Sequence, residues 1–139
     1  MLMVYLPLVI SRWVHFASVF VLFGGALFWF YAGRARLPGT LRAAAILLRF
    51  AAPIAAVTGI AWLACVLINM TQDLGGVFDP EDLRLFFFET PFGAVSVLRL
   101  VLLAMAAVIA FLPLHGRWRF GALVPVSALL LMTQAWFGH

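Results

Sequence analysis

The chain has 139 residues, 66% of them hydrophobic and 10% charged, with a formal net charge of +4 and a mean hydropathy of +1.14. A soluble domain carries about a quarter charged residues, so this composition excludes a water-soluble globule and places the chain in a bilayer. All nine basic residues are arginine, and their excess reports membrane topology; it gives no ground for nucleic-acid binding.

A hydrocarbon core of about 30 Å needs about 20 apolar residues per helix. Four stretches meet that length: residues 7–31, 41–70, 91–112 and 118–137. The sequence therefore predicts an all-α integral membrane four-helix bundle, with residues 1–139 as a single transmembrane domain. The first stretch is too long for a signal peptide and lacks a basic leader. It carries Arg12 and His15, three residues apart and so on one helical face. Arg12 is expected to snorkel toward lipid headgroups. His15 is an ionisable group inside a span, which marks function more often than packing. Gly33, Pro38 and Gly39 break the chain, and Thr40 is placed to cap the second helix.

The second stretch contains Pro53, read as a kink tolerated where neighbouring helices satisfy the freed carbonyl, and Cys65. A single cysteine excludes an internal disulfide, and Cys65 reads as a small packing residue. Asn69, Met70, Gln72 and Asp73 close this stretch. In the loop that follows, Asp79-Pro80-Glu81-Asp82 is a dense helix start, with a capping carboxylate, a first-position proline and acids in the first turn. Leu83, Leu85, Phe86, Phe87 and Phe88 then predict a short helix lying on the outer membrane surface, its aromatic face in the interface.

Thr90-Pro91 starts the third span and Pro113 stops it. Arg99, about a turn inside the hydrocarbon, is expected to find a carboxylate or carbonyls, with Asp73 and Glu89 as the candidate acids. The fourth span carries Pro125, Met132, read as core packing, and Gln134, and it ends at His139. His115 falls in the loop before it.

Orientation follows the arginines, which accumulate in cytoplasmic loops. Arg34, Arg36, Arg42 and Arg49 surround the first loop, and Arg117 and Arg119 the third. All five acids lie between residues 73 and 89. Both termini and the acidic loop are thus predicted to be periplasmic. Counting along each helix at about 1.5 Å per residue groups His15, Met70, Arg99 and His139 in one outer layer, with Asp73 close by. Two imidazoles and a thioether suit copper in either oxidation state. No nucleotide-binding, zinc-protease or serine-hydrolase signature occurs, so movement of an ion without covalent chemistry is the expectation. The second reading is a four-helix b-type cytochrome or haem-pathway oxidase, with His15 and His139 as haem ligands.

The segments Arg12-Trp13-Val14-His15-Phe16 and Leu22-Phe23-Gly24-Gly25-Ala26-Leu27-Phe28 resemble the first helix of the CopD (PcoD) copper-resistance inner-membrane proteins. Phe88-Glu89-Thr90-Pro91-Phe92-Gly93, with Arg99 beyond, is similar to that family's ET-x-FG...R signature, and Gly138-His139 to its Gly-His element. The resemblance implies a multi-pass protein of the bacterial inner membrane, linked to copper resistance or uptake and partnered by a periplasmic copper-binding protein of the CopC kind. On it, His15, Glu89, Thr90, Phe92, Gly93, Arg99 and His139 occupy motif positions. Many such proteins have about eight spans, so this chain reads as a minimal member or a front half that encloses a pathway by dimerising.

Overall fold

The computed structural model describes residues 2–32 and 38–136. Among the described residues the protein is all helical: α1 (Leu2–Ala32), α2 (Pro38–Thr71), a single 3-10 turn over Gly75–Val77, α3 (Pro80–Glu89), α4 (Pro91–Phe111) and α5 (Gly116–Trp136). Three of these helices, over Tyr5–Ala32, Arg42–Thr71 and Pro91–Phe111, are long and apolar enough to cross a membrane. The fourth expected span corresponds to α5, which is 21 residues long but does not join that set. Arg119, Pro125, Thr133 and Gln134 dilute its apolar content.

Helix ends follow local chemistry. Proline occupies the first position of α2, α3 and α4, where its missing N–H would be unpaired in any case. Asp79 caps α3 by accepting from Glu81 N at 2.9 Å, and Thr90 Oγ1 caps α4 by accepting from Gly93 N at 2.9 Å. Helix α1 begins ahead of the expected start and takes in Pro7, at the cost of one backbone hydrogen bond close to the helix end.

Helix α1 packs against α2 and α5, and α4 packs against the same two helices, while α3 rests on α4. The contacts between them are built on small residues: Ala26, Ala44, Ala51, Ala52, Ala55, Ala106 and Ala110 are buried with Val19, Leu22, Leu48, Leu103 and Leu123. Small side chains let helix backbones approach closely, which drives association where lipid removes the hydrophobic contrast. Large apolar groups such as Phe20, Phe50, Val57, Val108 and Met132 point outward. Met132 is therefore an exposed, outward-facing residue and not the core residue expected from sequence.

The short helix also differs from expectation in one respect. Its Phe86 is buried with Leu63 and Leu67, and Leu83 and Phe87 pack on the same cluster, leaving Leu85 and Phe88 exposed. Most of the aromatic face thus seals the end of α2 against α4, because protein side chains lie directly beneath it.

Candidate functional site

A set of polar residues from three of the long helices turns inward. His15 and Ser18 on α1, Ser96 and Arg99 on α4, and Ser127, Thr133 and Gln134 on α5 are all buried. That inversion, apolar outside and polar within, is the pattern expected when ionisable groups in spans face a bundle interior. His15 and Arg99 both have 0% exposure.

The imidazole of His15 is held by α2. Its Nδ1 lies 2.8 Å from the carbonyl oxygen of Ala55. A carbonyl only accepts, so Nδ1 carries the proton and donates it, which leaves Nε2 as the lone-pair nitrogen. Nε2 is buried and has no partner among the described residues. Gly59 makes the space: a Cβ there would stand 3.0 Å from His15 Cε1 and 2.9 Å from Leu103 Cδ1. His15 thus lies level with Leu103, near the middle of α4.

Trp62, one turn above Gly59, is the hub of the layer. The Arg99 guanidinium sits 4.7 Å from its ring centroid, that of Arg12 at 5.9 Å, and the His15 ring at 6.0 Å. Arg12 also covers Phe16 at 5.3 Å, so its guanidinium lies over aromatic faces while the residue stays exposed. Arg99 Nε donates to Thr133 Oγ1 at 3.3 Å, tying α4 to α5. The neighbouring Gln134 is 8% exposed, and its Nε2 has no partner among the described residues.

The structure brings together Arg12, His15 and Arg99, but Met70 and Asp73 lie elsewhere. Met70 stands eleven residues beyond Gly59, about 16 Å along α2 at 1.5 Å per residue, and is 58% exposed. It lines a separate cavity of about 370 Å³ with Asp82, Glu89 and Thr90. Asp73 is exposed and its carboxylate accepts from Gly75 N at 3.0 Å, shaping the turn after α2. The expected ion pair from Arg99 to Asp73 or Glu89 is not formed: Arg99 lies about 12 Å below the start of α4, and its contacts include Thr133 and Trp62. Among the described residues no group of three or more His, Cys, Asp or Glu side chains is positioned to hold a metal ion. His139, the other proposed imidazole, lies outside the described residues.

The Glu89-Thr90-Pro91-Phe92-Gly93 motif forms a helix corner. Thr90 Oγ1 donates to Phe86 O at 2.6 Å while accepting from Gly93 N, and Phe92 packs its ring on Phe86 at 5.5 Å. Gly93 lies against the backbone of Phe86 and Phe87, where an added Cβ would stand 2.6 Å from Phe87 Cα. Sequence reasoning missed Gly59 and Trp62. Trp62 had a usable signal, since tryptophan in membrane proteins concentrates at the two interfaces and this one sits within a span.

Three membrane-length helices around buried ionisable groups define a multi-pass membrane protein. The chain belongs to the family described as Copper resistance protein D-like, N-terminal domain, whose model matches residues 1–139. No curated protein and no solved structure matches it. Membership connects the chain with copper resistance, and it agrees with the resemblance carried by the His15, ET-x-FG and Gly-His elements.

Proposed function

We propose that the protein binds copper and moves or transfers it at or across the bacterial inner membrane, with His15 as an interior ligand. In this reading α5 is the fourth span and both termini are periplasmic. A CopC-like periplasmic protein delivers or receives the metal, and two chains pair to enclose the pathway. The observation that carries the reading is the His15 tautomer: Nδ1–H bound to Ala55 O leaves Nε2 buried and without a partner among the described residues. Metal-bound histidines characteristically donate the other ring N–H to a carbonyl or carboxylate, and a neutral imidazole serves both copper oxidation states. His139 is proposed as a second imidazole. Met70, beside Asp82 and Glu89 in its own cavity, is proposed as an outer station, not a ligand at the His15 level. No covalent chemistry is required. The haem reading has no support in the family match, and the experiment below separates it.

The test uses His15→Asn, whose amide nitrogen can replace Nδ1–H toward Ala55 O while removing Nε2. Copper content of the purified wild type and variant is measured under reducing and oxidising conditions, with visible spectra of the same samples. The expected result is copper in the wild type, at least a tenfold loss of copper affinity in the variant (about 1.4 kcal/mol), and an unchanged melting temperature. Equal copper in both proteins rules out His15 as a ligand. A Soret band present in the wild type and lost in the variant replaces copper with haem.

A further inference from the structure

A groove between the end of α1 and the start of α5 lies at the opposite end of the molecule from the acidic loop. It encloses a cavity of about 660 Å³ lined by Phe30, Arg117, Trp118, Gly121 and Ala122. Gly121 keeps it open, since a Cβ at that position would stand 3.2 Å from Phe30 Cε2. Its lower wall is apolar and its mouth carries an exposed arginine and tryptophan. Arg119, two residues on, is engaged with Leu112 O at 2.8 Å, whereas Arg117 has no partner among the described residues. Tyr31, exposed with its ring centroid 5.8 Å from that of Phe30, adds an aromatic group beside the groove of the kind that marks a membrane interface.

We infer that this groove is a binding site for an anionic phospholipid. One acyl chain lies along Phe30, Gly121 and Ala122, and the headgroup phosphate pairs with Arg117. The choice of occupant rests on charge and depth. Arg42, Arg49, Arg117 and Arg119 gather at this end, while every acid of the chain lies within residues 73–89, so the mouth offers positive charge without a competing carboxylate. Basic pockets between transmembrane helices are suited to such headgroups. The groove touches neither His15 nor Trp62, so the inference stands apart from the copper reading.

The experiment exposes the detergent-solubilised protein to phosphatidylglycerol or phosphatidylcholine at equal mole fraction and measures retained lipid by native mass spectrometry, with thermal melting alongside. Phosphatidylglycerol is expected to be retained preferentially and to raise the melting temperature. Arg117→Gln should cut that preference about fivefold, the factor corresponding to one arginine at an anionic surface. Gly121→Leu should abolish retention of both lipids by filling the groove. Equal retention of the two lipids by the wild type, or an undiminished preference in Arg117→Gln, overturns the inference. A dimer that Gly121→Leu converts to monomer, with no lipid bound in the wild type, assigns the groove to a second copy and also overturns it.

Discussion

A methyl group at Gly59 would press on Leu103 Cδ1 and on the His15 ring at Cε1 and Nδ1. The ring is not free to retreat, because moving it breaks the hydrogen bond to Ala55 O. Gly59→Ala is therefore expected to destabilise the protein by about 1–3 kcal/mol, the usual cost of overpacking, and to weaken copper retention. In a His15→Ala background the ring is gone and the same substitution should cost less, giving a non-additive cycle of the size seen for residues in contact. Thermal melting of the four proteins measures it. An undiminished cost would assign the clash to Leu103 alone. The individual residues differ in how far sequence revealed them. His15 and Arg99 stood out because a charge-bearing group in a span must be accommodated by other protein groups. Gly59 did not, since a glycine in an apolar helix carries no mark of what approaches it. Met70 was misplaced because α2, with 34 residues, spans about 51 Å and overshoots a hydrocarbon core of about 30 Å.

The α3–α4 corner shows the same division at the level of the element. Its limits were written in the chain, as Asp79 and Thr90 are capping residues and Pro80 and Pro91 are first-position prolines. Its role was not, because a conspicuous run such as Glu89-Thr90-Pro91-Phe92-Gly93 reads equally as ligand set or as joint until the packing is known. In three dimensions the joint is plain. Glu89 is exposed, Thr90 bonds to both helices, and Gly93 meets backbone atoms of Phe86 and Phe87 that cannot rotate aside. Gly93→Ala must then lift α3 off α4, at an expected cost of about 3 kcal/mol, the upper end of the overpacking range. The consequence should be local. Amide exchange in residues 80–89 is expected to rise toward that of an undocked helix, while exchange around Ala55 and the copper content of the purified protein stay unchanged. Loss of copper with α3 still protected would instead make the motif part of the metal path.

Across the whole molecule, the five acids are confined to one end, with Arg84 among them, while Arg42, Arg49, Arg117 and Arg119 lie at the other. Arg49 Nε donates to Ala110 O at 3.3 Å and Arg119 to Leu112 O, so guanidiniums satisfy or approach the last carbonyls of α4, where the helix dipole favours cations. The acids sit beyond the other ends of α2 and α4, in the turn and α3. Arginine-rich ends stay cytoplasmic while acids contribute little to insertion, which predicts a periplasmic α3. The test places single cysteines in a chain whose native Cys65 is replaced by alanine. Phe78 is the right outer position, being 86% exposed. Gly76 is not, since a side chain there would meet Thr71 Oγ1 at 2.7 Å. Gly39 serves for the arginine end, with open space around it. In intact cells whose outer membrane is permeabilised, a membrane-impermeant maleimide should label Phe78→Cys and leave Gly39→Cys untouched until the inner membrane is broken. The reverse pattern would turn the molecule over. Met70, Asp82 and Glu89 would then face the cytoplasm, and copper arriving from a periplasmic donor would have to enter from the arginine end, against the charge gathered there.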